Sequence, residues 1–160
     1  MTIARPVLRP FRPDDGEALA ALHRAAILAT SDTYTLEERE SWAANLRPEG
    51  YLNAIQDGEV IEVAIDDRGG PIAFCGRRED NVAALYVHPD WQGHGLGSML
   101  LRRAEAAIAG SGYPMIVIKA SISALPFYER CGYQVVQHFG HRTRGGLVLA
   151  AAELHKTIAT

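Results

Sequence analysis

The segment spanning residues 82–120 constrains the fold more than any other part of the chain. An apolar run at residues 82–87 is followed by a loop with three alternating glycines within residues 93–97, and apolar residues at helical spacing then continue to residue 110. Residues 114–120 form a second apolar run, which is typical of a strand buried on both faces. A strand, a helix and a strand in this order predict a right-handed crossover between two parallel strands.

Apolar periodicity on either side of this unit predicts further strands and helices. The predicted strands cover residues 7–12, 60–65, 72–78, 133–142 and 147–154. The predicted helices run from near Asp14 to residue 29, over residues 36–46 with a stop at Pro48 and Gly50, and over residues 124–130. Turn-forming segments at 66–71 and 144–146 predict two antiparallel hairpins. The order β-α-α-β-β-β-α-β-α-β-β predicts an α/β (mixed α+β) fold, with a twisted, mostly antiparallel sheet and helices on both faces.

Length and composition bound the domain number and the partners. The 160 residues, 48% of them hydrophobic, suit one domain of roughly 150 residues, so we expect one domain over residues 1–160. A formal charge of −3, from 16 basic and 19 acidic residues, argues against a nucleic-acid partner, which requires a basic face. No run of about 18 apolar residues occurs and the N-terminus does not resemble a signal peptide, so we expect no membrane partner and a cytoplasmic location.

Cysteine and histidine spacing argues against a disulfide or a metal site. Cys75 and Cys131 lie far apart, and neither belongs to a C-x-x-C pair. His138 and His141 lie three residues apart on a predicted strand, so their side chains would face opposite sides of the sheet. We therefore expect two buried thiols and no metal ion.

The glycine-rich loop predicts an anion-binding site. Glycine tolerates positive φ and has no Cβ, so backbone N–H groups can converge on a ligand, and the following helix N-terminus adds a partial positive charge. Phosphate is the expected anion. No lysine follows the last glycine, as a Walker A motif requires, and the spacing is G-x-G-x-G rather than G-x-G-x-x-G. On the glycines alone, a tight connection without a ligand is as well supported as a phosphate site.

Two motifs lie on the predicted loop and on the short helix that follows the second parallel strand. Gln92-x-x-Gly95-x-Gly97, preceded by L-Y-V-H-P at residues 85–89, resembles the pyrophosphate-binding motif of the GCN5-related N-acetyltransferase (GNAT) superfamily. The sequence A-L-P-F-Y-E-R-C-G-Y at residues 124–133 is similar to a second segment of that family, A-x-x-F-Y-E-x-x-G-F/Y. The resemblance implies an acetyl-coenzyme A-dependent N-acetyltransferase, an acyltransferase in which a primary amine attacks directly within a ternary complex. It also implies that the central parallel strands splay apart in a V.

The resemblance further implies roles for individual residues. Backbone groups of Tyr86 and Val87 would bind the pantetheine arm, with the Val87 N–H stabilising the oxyanion, and Tyr128 would protonate the leaving thiolate. Ser121 and Ser123 stand where many members have an asparagine that holds the coenzyme, so a hydroxyl would serve there. The main-chain N–H groups that would cradle the pyrophosphate belong to Gln92, Gly93, His94, Gly95, Leu96, Gly97 and Ser98.

No motif assigns the general base that the amine needs. Many family members have an acidic residue on the strand before the loop, but residues 82–85 carry none. The candidates are Glu79 and Asp80 just upstream and His88 at the strand end, where a capping role is the simpler interpretation. Two glutamates of the second predicted helix, at positions 37 and 38, and an ordered water are further alternatives.

The acceptor pocket is expected to involve the segment between the first helix and the second strand. Thr33, Tyr34, Trp42 and Arg78 could line it, although core packing is the simpler interpretation of Tyr34 and Trp42. The acceptor itself is not specified by the sequence, and the net negative charge slightly favours a cationic one.

Two other functions fit the same motifs. One is a non-catalytic acyl-coenzyme A-binding sensor or interaction module on the same fold, and the other is a nucleotide-binding protein that uses the same loop. The apolar run at residues 147–152 could pack either at a homodimer interface or inside the sheet.

Overall fold

The computed structural model describes residues 6–158, in which one seven-stranded sheet carries helices on both faces. The outermost parts of the expected domain, residues 1–5 and 159–160, lie outside the described residues. The strands are β1 Val7–Pro10, β2 Val60–Ile65, β3 Pro71–Arg78, β4 Asn81–Val87, β5 Met115–Ser121, β6 Gln134–Arg142 and β7 Val148–Thr157. The helices are α1 Gly16–Leu28, α2 Leu36–Ala43, α3 Pro48–Gln56, α4 Leu96–Gly110 and α5 Leu125–Arg130.

The sheet topology confirms the predicted mixed fold. The strand order is β1-β2-β3-β4-β5-β7-β6, with β4 and β5 parallel and the other neighbouring strands antiparallel. The parallel pair is joined through α4, as the apolar runs and the intervening helical spacing predict. The strand β7 continues to Thr157, beyond the predicted end at residue 154.

The hydrophobic core consists of two layers on opposite sides of the sheet. Adjacent residues of a strand face opposite sides, and on β3 Phe74 belongs to one cluster while Cys75 belongs to the other. Phe74 packs in the cluster that contains Leu19 of α1, whereas Cys75 packs in the cluster that contains Leu100 and Leu101 of α4. The helices α1 and α4 therefore cover opposite faces of the strands that lead to the functional site.

The second predicted helix, over residues 36–46, is wrong in extent, because two helices occupy this region. The helix α2 begins after Thr35, whose side chain accepts a hydrogen bond from the Glu38 N–H, and it ends at Ala43. A further helix, α3, begins at Pro48, which was expected to end the second predicted helix. Proline suits the first helical position, since the N–H that it lacks would be unpaired there in any case.

No helix within residues 6–158 has both the length and the apolar character that a membrane span requires.

Candidate active site

A gap opens between β4 and β5 because their parallel pairing is short. Asn81 pairs with Val117 and Val82 pairs with Ile118, after which β4 stays bonded to β3 and β5 stays bonded to β7. The β3–β4 register shifts immediately after Val82, which leaves Ala83 as an extra residue. Such a β-bulge bends and twists its strand, and it lies where the two strands begin to separate. The wide end of the gap therefore faces the C-terminal ends of both strands.

A cleft of about 550 Å³ occupies the wide end of this gap. Most of the residues expected to bind a coenzyme, together with one expected acceptor residue, line it. They are Trp42, Tyr86, Val87, Gln92, Gly93, Gly95, Leu96, Gly97, Ser98, Ser121, Ser123 and Tyr128. His94 is exposed and does not line the cleft. The structure thus brings together two motifs, one ending at Gly97 and the other beginning at Ala124.

Several residues that line the cleft were missed from the sequence. Ala26 lies in the last turn of α1, Thr30 follows that helix, and Arg130 is the last residue of α5. The other missed residues are Leu85, Trp91, Ala124 and Phe127. A signal was present for Ala124, Phe127 and Arg130, which belong to the second motif, and for Leu85, which opens the L-Y-V-H-P segment before the first. None of the lining residues is Asp, Glu or His.

The glycine loop presents unpaired N–H groups at the cleft. Gly93 and Gly95 have φ values of +82° and +81°, which non-glycine residues rarely adopt. Gly95 is the N-cap of α4 and offers no side chain to cap it, and the first helical bond runs from the Met99 N–H to the Gly95 carbonyl at 3.0 Å. The N–H groups of the first turn therefore lack intrahelical acceptors, and together they carry a charge of roughly +0.5. The first turn also contains no acidic residue that could neutralise them.

Close packing fixes the first turn of α4 against its neighbours. A Cβ on Gly97 would lie 3.3 Å from Phe127 Cζ, a tight contact, and 3.7 Å from Val87 Cγ2, an ordinary one, so the helix packs closely on α5 and lies against β4. The Gln92 Nε2 donates a hydrogen bond of 3.2 Å to the Val87 carbonyl. Loop, helix and strand end therefore hold one another in place around the cleft.

Hydrogen-bond alternation shows which backbone groups of β4 face the gap. The His88 N–H donates to the Ile72 carbonyl on β3, so in an antiparallel ladder the backbone groups of Tyr86 also point toward β3. Those of Leu85 and Val87 point the other way, into the gap. Of the two residues whose backbone groups were expected at the coenzyme, Val87 has these groups directed into the gap, whereas Tyr86 has them directed toward β3. Both residues line the cleft.

Tyr128 is a buried residue that lines the cleft. Its side chain is 6% exposed and makes edge contacts with the rings of Phe127 and Tyr133 at 5.1 and 5.8 Å between centroids. Burial raises the pKa of the Tyr128 phenol above its ordinary value of 10. The hydroxyl therefore stays protonated at neutral pH and can act as a donor. On the same side of the cleft, the Ser121 and Ser123 hydroxyls lie 2.7 Å apart.

Two of the base candidates, and one acceptor candidate, lie at the closed end of the gap. Glu79 and Asp80 form the β3–β4 turn, and Arg78 is the last residue of β3. Because β4 extends by about 3.3 Å per residue, this turn lies roughly 20 Å from Val87 at the open end. None of the three lines the cleft.

The remaining base candidates also have other partners or positions. The His88 Nδ1 accepts a hydrogen bond of 3.1 Å from the Asp90 N–H, so this ring caps the turn Pro89–Trp91, and it does not line the cleft. Glu38 accepts from the Thr35 N–H at 3.0 Å, and Glu37 is exposed.

Of the other acceptor candidates, Tyr34 has a structural role and Thr33 is exposed to solvent. The Tyr34 hydroxyl donates to the Ala150 carbonyl at 2.9 Å and accepts from the Ile122 N–H at 2.8 Å, which ties the loop after α1 to the sheet. Thr33 does not line the cleft, whereas Trp42 does.

A buried histidine, missed from the sequence, lies behind the Tyr86 side chain. The His23 ring of α1 is 4.0 Å from the Tyr86 ring between centroids, and its Nδ1 lies 3.0 Å from the Tyr51 hydroxyl. Burial lowers the pKa of His23 to about 3 and raises the pKa of Tyr86 to about 12, so both groups are neutral at physiological pH. Among residues 6–158, no cluster of three or more His, Cys, Asp or Glu side chains is placed to hold a metal ion.

Comparisons with known proteins agree with this geometry. A family model described as an acetyltransferase (GNAT) domain matches residues 56–135. The crystal structure of a GCN5-related N-acetyltransferase from Rhodopseudomonas palustris is 30% identical, covers 99% of both chains and superposes with a TM-score of 0.88. The peptidyl-lysine N-acetyltransferase YjaB of Salmonella typhimurium is 28% identical over 131 residues, which are 80% of this chain and 83% of that protein.

A more distant structure shares the fold. The PaiA N-acetyltransferase of Thermoplasma acidophilum, solved in complex with coenzyme A, is 21% identical, with a TM-score of 0.77 over 97% of this chain and 100% of that one. With the glycine loop and Tyr128 both at the splayed strands, the family-model match and the likeness to the Rhodopseudomonas palustris structure assign this chain to the GCN5-related N-acetyltransferase (GNAT) family of acyltransferases.

Proposed function

We propose that this protein transfers an acetyl group from acetyl-coenzyme A to a primary amine by direct attack within a ternary complex. One observation carries the proposal: the uncapped N-terminus of α4 and its glycine loop border the same open cleft as the buried Tyr128. An anion site and a proton donor at the two sides of one cleft suit a substrate with a pyrophosphate at one end and a thioester at the other.

The anion site fits a pyrophosphate. Residues 92–98 include two glycines in the left-handed region and have main-chain N–H groups that can bind an anion. An added Cβ at Gly93 or Gly95 would meet no protein atom within 4 Å. That space is open for phosphate oxygens. Leu96 is 2% exposed and its side chain belongs to the core, so only its backbone could bind the anion. Arg130 adds a further positive charge at the cleft.

The open end of β4 fits a thioester. Val87 and Leu85 have backbone groups directed into the gap, where β5 no longer supplies partners. In the proposed reaction the Val87 N–H stabilises the negative charge that develops on the thioester oxygen as the amine attacks. Ser121 and Ser123 lie on the opposite side, where their hydroxyls could hold the pantetheine arm.

Tyr128 is the proposed acid. The amine nitrogen forms a bond to the carbonyl carbon, the carbon–sulfur bond breaks, and its electron pair stays on the sulfur, which takes the Tyr128 proton. The nitrogen, positively charged after the attack, loses one proton to water to become the amide, and water returns a proton to the Tyr128 phenolate. The raised pKa of this phenol makes it a weak acid. Because the same apolar surroundings disfavour a bare thiolate, the basicity of the sulfur rises with it, and the transfer stays balanced.

The proton on the amine has no protein acceptor at the cleft. No Asp, Glu or His is among the described residues that line it, so we propose that the acceptor reacts as the free amine after losing its proton to water. This replaces the base candidates Glu79, Asp80 and His88, which lie elsewhere.

The test combines binding with turnover. Thermal shifts with acetyl-coenzyme A, ATP and NAD report the ligand, and release of the coenzyme thiol in a panel of primary amines, with mass spectrometry of the product, reports transfer. We expect stabilisation by acetyl-coenzyme A and amine-dependent thiol release. Tight coenzyme binding without transfer to any amine would favour a non-catalytic sensor, and stabilisation by NAD alone would favour a nucleotide-binding protein.

Three expectations remain predictions: the single domain over residues 1–160, the cytoplasmic location and the homodimer.

A further inference from the structure

The hydroxyl of Tyr34 lies where the β5–β7 ladder ends. Ser121 and Ala151 are the last residues of the two strands that pair at this end. Ile122 and Ala150 would form the next pair, but the Tyr34 hydroxyl bridges their backbone groups. It accepts from the Ile122 N–H at 2.8 Å and donates to the Ala150 carbonyl at 2.9 Å. The phenol therefore takes the place of a ladder hydrogen bond at the point where β5 ends.

The turn that follows β5 carries two hydroxyl groups on the wall of the cleft. Ser121 and Ser123 flank Ile122, and their Oγ atoms lie 2.7 Å apart. Ser121 is the N-cap of the short 3-10 turn Ile122–Ala124, yet its side chain makes no capping hydrogen bond. The first N–H of this turn is bound by the Tyr34 hydroxyl. The two serine hydroxyls therefore bond to each other rather than to the backbone, and both residues line the cleft.

Tyr34 itself does not reach the cleft. It is 6% exposed and is absent from the cleft lining, so it can act on a ligand only through its neighbours. Its ring meets the ring of Trp42 edge-on, at 5.7 Å between centroids. The hydroxyl and the ring thus have separate contacts. Tyr34→Phe removes the two hydrogen bonds at the end of β5 and keeps the contact with Trp42.

We infer that Tyr34 is a positioning residue for the coenzyme, whose hydroxyl fixes the backbone between Ser121 and Ser123 and so holds their hydroxyls where they bind the pantetheine arm. The inference rests on the proposed function, which places the coenzyme in the cleft. A hydroxyl both donates and accepts hydrogen bonds, and the amide groups of the pantetheine arm offer both kinds of partner. Fixing the turn before the ligand arrives lowers the entropy cost of binding, so the phenol contributes to affinity without touching the coenzyme.

A double-mutant cycle, measured by calorimetric titration of acetyl-coenzyme A, tests this inference. Tyr34→Phe should weaken binding about two- to tenfold, the range expected for a lost hydrogen bond. The double variant Ser121→Ala, Ser123→Ala should also weaken binding. Adding Tyr34→Phe to that double variant should change the affinity by less than about twofold, because Tyr34 acts through the serines. A residue with only a structural role would lower the affinity by the same factor in both backgrounds.

Tyr51→Phe is the matched control. Tyr51 is 8% exposed, its hydroxyl lies 3.0 Å from the His23 Nδ1, and it does not line the cleft. Its loss of a buried hydrogen bond should lower Tm and leave the affinity for acetyl-coenzyme A unchanged.

Three results would overturn the inference. They are normal acetyl-coenzyme A binding by Tyr34→Phe, an equal loss of affinity in Tyr51→Phe, and unchanged affinity in the double serine variant. The last result requires no change at Tyr34, so it decides the question even if Tyr34→Phe does not fold. A wild-type protein that fails to bind acetyl-coenzyme A would overturn the proposed function as well. Normal binding and transfer by the wild-type protein, with an unaffected Tyr34→Phe, would overturn this inference alone.

Discussion

Two glycines with the same φ allow the anion site to be tested separately from stability. Gly95 in the loop before α4 and Gly69 in the β2–β3 turn both have φ of +81°, and an added Cβ at either would meet no protein atom within 4 Å. A non-glycine residue in the left-handed region costs about 1–2 kcal/mol. Gly95→Ala and Gly69→Ala should therefore destabilise the protein by the same amount, about 1 kcal/mol after the offset from a less flexible unfolded chain.

The two variants should differ in ligand binding. Gly95 lines the cleft, so the added methyl group projects into the space proposed for the pyrophosphate, whereas Gly69 lies on a turn that does not line the cleft. Losing even one or two charge-assisted hydrogen bonds should weaken acetyl-coenzyme A binding by about tenfold or more in Gly95→Ala. Gly69→Ala should bind it as the wild-type protein does.

Thermal denaturation and calorimetric titration measure both quantities on the same samples. For a chain of this size, 1 kcal/mol corresponds to a fall in Tm of about 2–4 °C, expected in both variants. The reasoning would be refuted if Gly95→Ala bound acetyl-coenzyme A normally, because the loop would then not hold the coenzyme. Equal losses of affinity in both variants would point to general destabilisation instead.

Three further predictions concern the acid, the amine and the fold. Tyr128→Phe should lower kcat strongly and leave acetyl-coenzyme A affinity nearly unchanged. The control Tyr133→Phe, which loses a 2.7 Å hydrogen bond to Glu105, should lower Tm and leave kcat unchanged. Full turnover of Tyr128→Phe in steady-state kinetics would contradict the acid role. The kcat/KM for the acceptor should rise with pH and follow the acceptor's own amine pKa across a set of amines, and a profile fixed for all amines would reveal a protein base. Because its hydrogen bonds with Arg9 hold the pKa of Asp15 below its ordinary value, this pair stabilises the protein at neutral pH and loses its contribution as the pH falls through the acidic range. Asp15→Asn should thus cost about 3 kcal/mol at pH 7 by urea denaturation and less at pH 3, and an equal loss at both pH values would contradict the ion-pair explanation.

The parts of the fold that depend on local patterns could be predicted from the sequence, and the parts that depend on distant contacts could not. Apolar runs and turn residues predict the strands and the parallel crossover. The helix α3 was missed because Pro48 is ambiguous by itself: it can stop a helix or start one. What decides the outcome is tertiary, since a Cβ on Gly16 would lie 2.7 Å from the Pro48 Cβ, so the start of α3 packs directly on the start of α1.

The functional site shows the same contrast between residues that a local pattern predicts and residues that only distant contacts bring together. The glycine loop and Tyr128 carry motifs with fixed spacing, and the structure places both at one cleft. Glu79 and Asp80 were base candidates because they lie just before β4 in the sequence. The antiparallel β3–β4 turn places them at the end of β4 that is far from the cleft. The Tyr34 hydroxyl contacts Ile122 across 88 residues of sequence, and no local pattern could indicate that contact.

The most direct test of the central claim is a crystal structure of the protein with acetyl-coenzyme A. We expect the pyrophosphate oxygens within hydrogen-bond distance of the N–H groups of residues 92–98, the thioester oxygen facing the Val87 N–H, and the sulfur beside the Tyr128 hydroxyl. A coenzyme bound away from the β4–β5 gap, or one whose thioester lies out of reach of both Val87 and Tyr128, would contradict the account.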